Sequence, residues 1–142
     1  MPHILNLGEA VALGFHAMVL LAQQPRRRFP SSEIARVFSA SEHTLAPVMK
    51  RLVRAGLADA VRGARGGFRL AADPGKVRLL ELYELLAGPL EVDGCLLSSP
   101  ECVGARCAMK GLVARLSREA REWLRRETLA DLAGTVRLRR EP

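Results

Sequence analysis

Cysteine is missing from positions 1–94 and 108–142, yet three occur within thirteen residues, Cys95, Cys102 and Cys107. An odd count confined to one stretch argues against a disulfide scaffold and for a reducing compartment, the cytoplasm. Aromatic residues make up only 4% of the chain. That scarcity disfavours a single-stranded nucleic-acid partner, whose bases need ring faces to stack on. The longest apolar run, 17–22, falls far short of the roughly 20 residues that span a bilayer, so no membrane association is expected. No basic leader followed by a small-residue cleavage site precedes the first helix, and no secretory signal is expected. Internal repeats and low-complexity tracts are lacking. So are a nucleophile–base pair, paired carboxylates and the Lys-Ser/Thr ending that would make 63–67 a phosphate loop, so an enzyme is not expected.

What is present is a chain of 142 residues, 49% of them hydrophobic, enough for one compact core. Basic residues exceed acidic ones to give a net charge of +7 and a pI near 10.3. This balance favours a polyanionic partner.

The apolar spacing of Leu7, Val11, Phe15, Met18, Val19 and Ala22 predicts a helix over 5–24, ended by Pro25 and the run Arg26-Arg27-Arg28. Ser31 or Ser32 is the expected cap of a second helix with Ile34, Ala35, Val37 and Phe38 inside. After the turn Ser39-Ala40-Ser41, a third helix capped by Ser41 runs through Ala55, with Leu45, Val48, Met49 and Leu52 inward and Gly56 as its left-handed stop. Pro47 cannot sit deep in a helix, so this helix is expected to start near His43 or Thr44, with Pro47 in its first turn. Strands over 57–61 and 68–71 flank a glycine-rich loop. Helices over 77–87 and 108–126 and a short turn over 128–132 complete the expected order.

Helix, short turn, helix and basic hairpin describe a winged helix-turn-helix. Its reading helix needs a polar, cationic face opposite its packed one. His43, Thr44 and Pro47 are expected near base edges, and Lys50 near base edges or phosphate. Arg51 and Arg54 also lie off the apolar stripe, and Ser41 with the helix N-terminus offers N–H groups to phosphate. Arg62 and Arg65 flank glycines that allow close approach of a wing to a minor groove or to phosphate.

The stretch Leu52-Val53-Arg54-Ala55-Gly56-Leu57, with Val61-Arg62-Gly63 and Gly66-Gly67-Phe68-Arg69-Leu70, resembles the Rrf-two type of winged-helix transcription regulators, including its IscR-like and NsrR-like members. The three cysteines and the closing Thr128-Leu129-Ala130-Asp131-Leu132 match as well, so the similarity covers nearly the whole chain. The resemblance implies a homodimer with a long helix crossing to its partner, and a wing arginine, here Arg62, entering the minor groove. Where IscR-like members carry a discriminating glutamate this chain has Ala46, so their operator preference does not carry over.

Three thiolates in one loop can wrap an iron–sulfur cluster while a fourth ligand comes from elsewhere. The family spacing is five and five intervening residues; here it is six and four, with the outer span kept. The histidine of IscR-like members is replaced by Lys110. NsrR-like members use a carboxylate on the partner's first helix, which aligns with Ala12 here. Glu9, one turn earlier on the same face, is the expected fourth ligand, and His16 a weaker candidate. Zinc wants closely spaced cysteine pairs, which are missing. A reversible disulfide between Cys95 and Cys107 needs no metal, and thiols beside Arg106 and Lys110 would be reactive.

The stripe Leu112, Val113, Leu116, Ala120, Trp123 and Leu124 belongs to a helix too long to bury its apolar face on one small domain, which predicts a second subunit. The expected architecture is mainly α with a small β-hairpin wing: residues 1–88 a winged helix-turn-helix domain, 89–107 a cluster-binding loop, and 108–142 a dimerisation helix and tail. The expected function is a dimeric transcriptional repressor on a palindromic double-stranded DNA operator. It would sense redox, nitric oxide or iron–sulfur status through a two-iron or four-iron cluster. The alternatives are a metal-free thiol switch and a regulator controlled by a bound partner enzyme.

Overall fold

A computed structural model describes residues 7–92 and 107–138, which form six helices and one two-stranded sheet. Cys95 and Cys102 lie outside the described residues, as do most of the expected cluster loop and the end of the tail.

Helix α1, Glu9–Gln23, is the hub of the core. Val11, Leu13, Ala17, Met18, Val19, Leu20 and Leu21 are all buried, so its second half is enclosed on nearly every side. It is more than the one-striped helix that the spacing implied, and Leu7, assigned to that stripe, precedes the helix and is 64% exposed. Helix α2, Ser31–Val37, starts at Ser31, the first of the two expected caps. Pro30 is its N-cap, and neither Ser31 nor Ser32 supplies a capping side chain. Proline fits there because the first turn needs no intrahelical N–H.

Ser39, at φ +52, ends α2 in the left-handed region. The Ala40 N–H donates to the Ala35 carbonyl at 2.9 Å and the Ser39 N–H to that of Arg36 at 3.2 Å, a paired closure that satisfies two terminal acceptors. Helix α3, Glu42–Arg54, follows. It closes in the same way at Gly56, φ +76, where the Leu57 N–H reaches the Leu52 carbonyl at 3.0 Å and both side chains are buried.

Strands β1, Ala58–Val61, and β2, Gly67–Leu70, pair antiparallel with Asp59 opposite Arg69. Phe29 extends the sheet beyond the expected hairpin, exchanging two backbone hydrogen bonds of 2.8 Å with Phe68. A Cβ on Gly67, at φ +133, would collide with the Phe29 carbonyl, so only glycine fits.

Helix α4, Leu79–Ala87, and α5, Ala108–Arg126, run antiparallel, since Arg78 donates to the Arg126 carbonyl at one end and Arg121 meets Glu84 further along. Helix α6, Leu129–Thr135, begins in a reciprocal capping box between Thr128 and Asp131. It lies against α1, where Gln23 donates to the carbonyls of Ala133 and Val136. Leu124 and Leu129 therefore join the same core as α1 to α4.

Candidate DNA interface and cysteine anchor

The cap of α3 forms as its sequence implies. Ser41 Oγ accepts from the Thr44 N–H at 3.0 Å and lies 2.8 Å from Thr44 Oγ1. With the Leu45 N–H on the Ser41 carbonyl, the N–H groups of Glu42 and His43 have no acceptor inside the helix. Pro47 is deeper than expected: the helix begins at Glu42, not near Thr44, which puts Pro47 inside its second turn. Its missing N–H leaves the His43 carbonyl without its helical donor. Pro47 lies on the exposed face of the helix.

Leu45, Val48, Met49 and Leu52 are buried. Opposite them His43, Pro47, Lys50 and Arg54, spaced four, three and four apart, form one exposed stripe. Thr44 and Arg51 flank it. The Arg51 guanidinium, expected among the DNA contacts, donates through Nη1 to the Leu86 carbonyl at 2.9 Å and ties α3 to the last turn of α4.

Arg62 and Arg65 are exposed in the loop between β1 and β2. That loop is closed by the Gly66 N–H on the Gly63 carbonyl at 2.9 Å, with Gly63 at φ +111. Asp59, half-buried on β1, has its carboxyl held below the ordinary range, first by the hydrogen bond from Arg28 and further by the charges of Arg28 and Arg69. Arg28 lies outside every motif the sequence offered. Its partners stand 31 and 39 positions away, so no local signal marks it.

Of the expected metal ligands, Cys107 and Glu9 are described. Cys107 is an exposed free thiol at the N-cap of α5 and accepts no capping bond. Glu9 is exposed in the first turn of α1 and forms no hydrogen bond or ion pair among the described residues. It borders a cleft of ≈ 250 Å³ with Ala12, His16, Phe38 and Ala40. His16 Nδ1 lies 2.6 Å from the Ala12 carbonyl and its ring meets Phe38 edge-on. Among the described residues no three His, Cys, Asp or Glu side chains converge.

The described residues on either side of the cysteine segment are held on the α4–α5 pair. Glu84 Oε1 accepts from the Leu90 N–H and from Arg121 Nη1, both at 3.0 Å, and Arg121 Nη1 also donates to the Leu90 carbonyl at 2.8 Å. At the far end Cys107 opens α5.

On α5, Met109, Leu112, Leu116 and Trp123 form a single stripe, each 46–50% exposed. It runs beside the buried stripe Val113, Ser117 and Leu124. Leu116 and Trp123 also border an apolar groove of ≈ 730 Å³ with Leu7, Phe15, Leu79 and Leu132.

The sequence profile of the Rrf2 family, described as an iron-dependent transcriptional regulator, matches residues 7–135. The HTH-type transcriptional regulator BadM of Rhodopseudomonas palustris is 37% identical over 81 residues, 57% of this chain and 52% of BadM. An HTH-type regulator of Aquifex aeolicus is 33% identical over 94 residues, 66% of this chain and 65% of its own. The matched stretch thus spans about half of the first relative. Among solved structures, CymR of Bacillus subtilis, the global cysteine regulator, has a TM-score of 0.74 at 27% identity, covering 94% of this chain and all of CymR. IscR of T. potens has a TM-score of 0.69 at 25% identity, covering 92% of this chain and 87% of IscR.

Proposed function

Since the chain belongs to the Rrf2 family of transcriptional regulators, we propose that it is a homodimeric repressor governed by an iron–sulfur cluster. The cluster would be held by Cys95, Cys102, Cys107 and Glu9 of the partner subunit, and the dimer would act in the cytoplasm on a palindromic duplex operator. The observation that carries the proposal is the position of the cysteine segment. It lies between Leu90, held to Glu84 of α4 and Arg121 of α5, and Cys107, the N-cap of α5, and of these two helices α4 packs on α3.

The exposed stripe His43, Pro47, Lys50 and Arg54 supplies the major-groove face. Lys50 and Arg54 are cationic, and the Pro47 ring suits an apolar contact such as a thymine methyl. Free N–H groups at Glu42 and His43 suit a phosphate. Arg62 and Arg65 suit the minor groove or its phosphates. Arg51 would have to leave the Leu86 carbonyl to reach DNA, so its role in this reading is to hold α3. The apolar stripe from Met109 to Trp123 favours a second copy as its cover, since so much exposed apolar surface on one helix is uncommon in a monomer. A two-fold dimer would set two reading helices one DNA turn, or a multiple of it, apart.

The donor set fits the proposed group: soft thiolates for iron, with Cys107 exposed and the Glu9 carboxylate without a competing partner among the described residues. When bound, such a group would supply iron reactive toward oxygen and nitric oxide. The chain itself has to carry a change in the loop to the DNA. A shift at Leu90 pulls on Glu84 and Arg121, and α4 passes it to α3 through Leu86 and Arg51. Typical couplings of this kind are about 1–3 kcal/mol.

Similarity to CymR, solved also in an oxidized form from Staphylococcus aureus at 26% identity, favours as second reading a metal-free thiol switch on the same loop. Purification without air separates the two. Visible absorbance with stoichiometric iron, lost in Cys102→Ser, supports the cluster; colourless, iron-free protein whose DNA affinity responds to oxidants supports the thiol switch.

A further inference from the structure

The three arginines that follow α1, Arg26, Arg27 and Arg28, occupy different surroundings. Arg26 is exposed. Arg27 reaches Glu33 Oε1 at 2.6 Å and lies 4.4 Å over the Phe29 ring. Arg28 is half-buried and grips both strands of the hairpin: its Nη2 donates to Asp59 Oδ2 on β1 at 2.8 Å, and its Nη1 to the Gly67 carbonyl on β2 at 3.4 Å. Its neighbour Phe29 is locked to Phe68 by two backbone bonds.

An isolated two-stranded hairpin is at best marginally stable in water. This one has only four residues per strand, so the pose of its loop depends on what holds the strands that carry it. Phe29 holds β2 alone, through Phe68, one pair from the loop. The planar, forked guanidinium of Arg28 adds a tie across both, which a lysine could not reproduce.

We infer that Arg28 is a positioning residue of the wing, fixing the pose in which Arg62 and Arg65 are presented without itself touching DNA. The depressed titration of Asp59, whose first cause is Arg28, agrees with a tight tie. The inference rests on the reading of the hairpin as a DNA-binding wing, and its test separates the two.

The test uses the full chain as wild type, Arg28→Gln, Arg28→Lys, Arg62→Ala and the double variant Arg28→Gln/Arg62→Ala. Amide hydrogen exchange of the free protein reads the wing without DNA. Protection is expected to fall over residues 58–70 in Arg28→Gln while α1, α3 and α4 keep theirs, with Arg28→Lys in between. Binding to a mixed-sequence duplex at several salt concentrations reads the consequence. Arg62→Ala is expected to reduce the salt slope by roughly one unit in the wild-type background and to change nothing further in Arg28→Gln. Unaltered exchange over 58–70 overturns the inference. So do additive slope changes, which would make Arg28 a phosphate contact in its own right. Loosened wing amides with an Arg62→Ala protein that binds like wild type would sustain the tie and overturn the DNA reading instead. Should Arg28→Gln not fold, Arg28→Lys carries the same comparison.

Discussion

The guanidinium of Arg51 donates to the main-chain carbonyl of Leu86 across 2.9 Å, joining the helix that would read DNA to the end of α4. The Leu86 side chain fills the space beside Gly14, where any Cβ would strike it, and near Val48. One residue at the end of α4 therefore registers α1, α3 and the approach to the cysteine segment together.

Replacing Arg51 with Met keeps the aliphatic stem and removes the donor. The expected loss is about 1 kcal/mol of stability, the ordinary net contribution of an intramolecular hydrogen bond, read as a lower urea midpoint at unchanged slope. In the proposed mechanism the same variant also narrows the gap in DNA affinity between iron-loaded and iron-free protein.

Gly67→Ala tests the junction between Phe29 and the hairpin. The added methyl meets the Phe29 backbone and the residue sits at φ +133. A destabilisation of about 1–3 kcal/mol is expected, as for other overpacked sites, with weakened DNA binding. Gly63→Ala, where a Cβ meets no neighbour but φ is +111, is expected to cost less in thermal unfolding.

Among the described residues three carboxyls, Asp59, Glu122 and Asp131, titrate below their ordinary values, and two of them, Asp59 and Asp131, hold elements of the fold together. Asp131 titrates below its ordinary value of 3.8, first because the Thr128 N–H donates to it, then because the Thr128 hydroxyl does. Asp59 is lowered by Arg28 and Arg69. Each is more acidic in the folded than in the unfolded chain, so the unfolded state binds more protons below about pH 4. Their contribution is complete above that range and is lost as pH falls through the folded values. Asp131→Asn should flatten the low-pH limb of a stability–pH profile, while Thr128→Ala should cost about 1 kcal/mol at neutral pH through the lost cap.

The reading unit was legible because its signals are local. Ser41 caps α3, Gly56 ends it, and the stripe Leu45 to Leu52 packs as its spacing implies. The wing followed from two short runs around glycines. Pro47 misled because its ring clashes only with the preceding turn, and on an exposed helix face that turn can give way. Pro30 took the cap from the two serines because a β-region residue with no donor suits that place. The ties made by Arg28, Arg51 and Arg121 could not be read, since each spans more than thirty positions and a surface arginine looks the same wherever it points. Cys107 alone of the cysteines belongs to the described residues, so the ligand set rests on chemistry and resemblance.

Within the wing and reading helix, Arg62→Ala and Lys50→Ala should each weaken binding to mixed-sequence duplex and lower the salt slope by roughly one unit if they neutralise phosphates. If Lys50 instead reads a base edge, its loss should leave the slope unchanged and relax preference at one operator position by about 1–3 kcal/mol. Titrations at several salt concentrations distinguish the two.

The account turns on whether iron held by the cysteine segment sets the grip on duplex DNA. The most direct measurement is an oxygen-free titration of one operator, selected from random duplexes, with the same protein before and after chelation of its iron. A change in affinity between about 5-fold and 150-fold, the span of ordinary allosteric coupling, is the expected result. Equal affinities of the two forms, or protein that never carries iron, would contradict it.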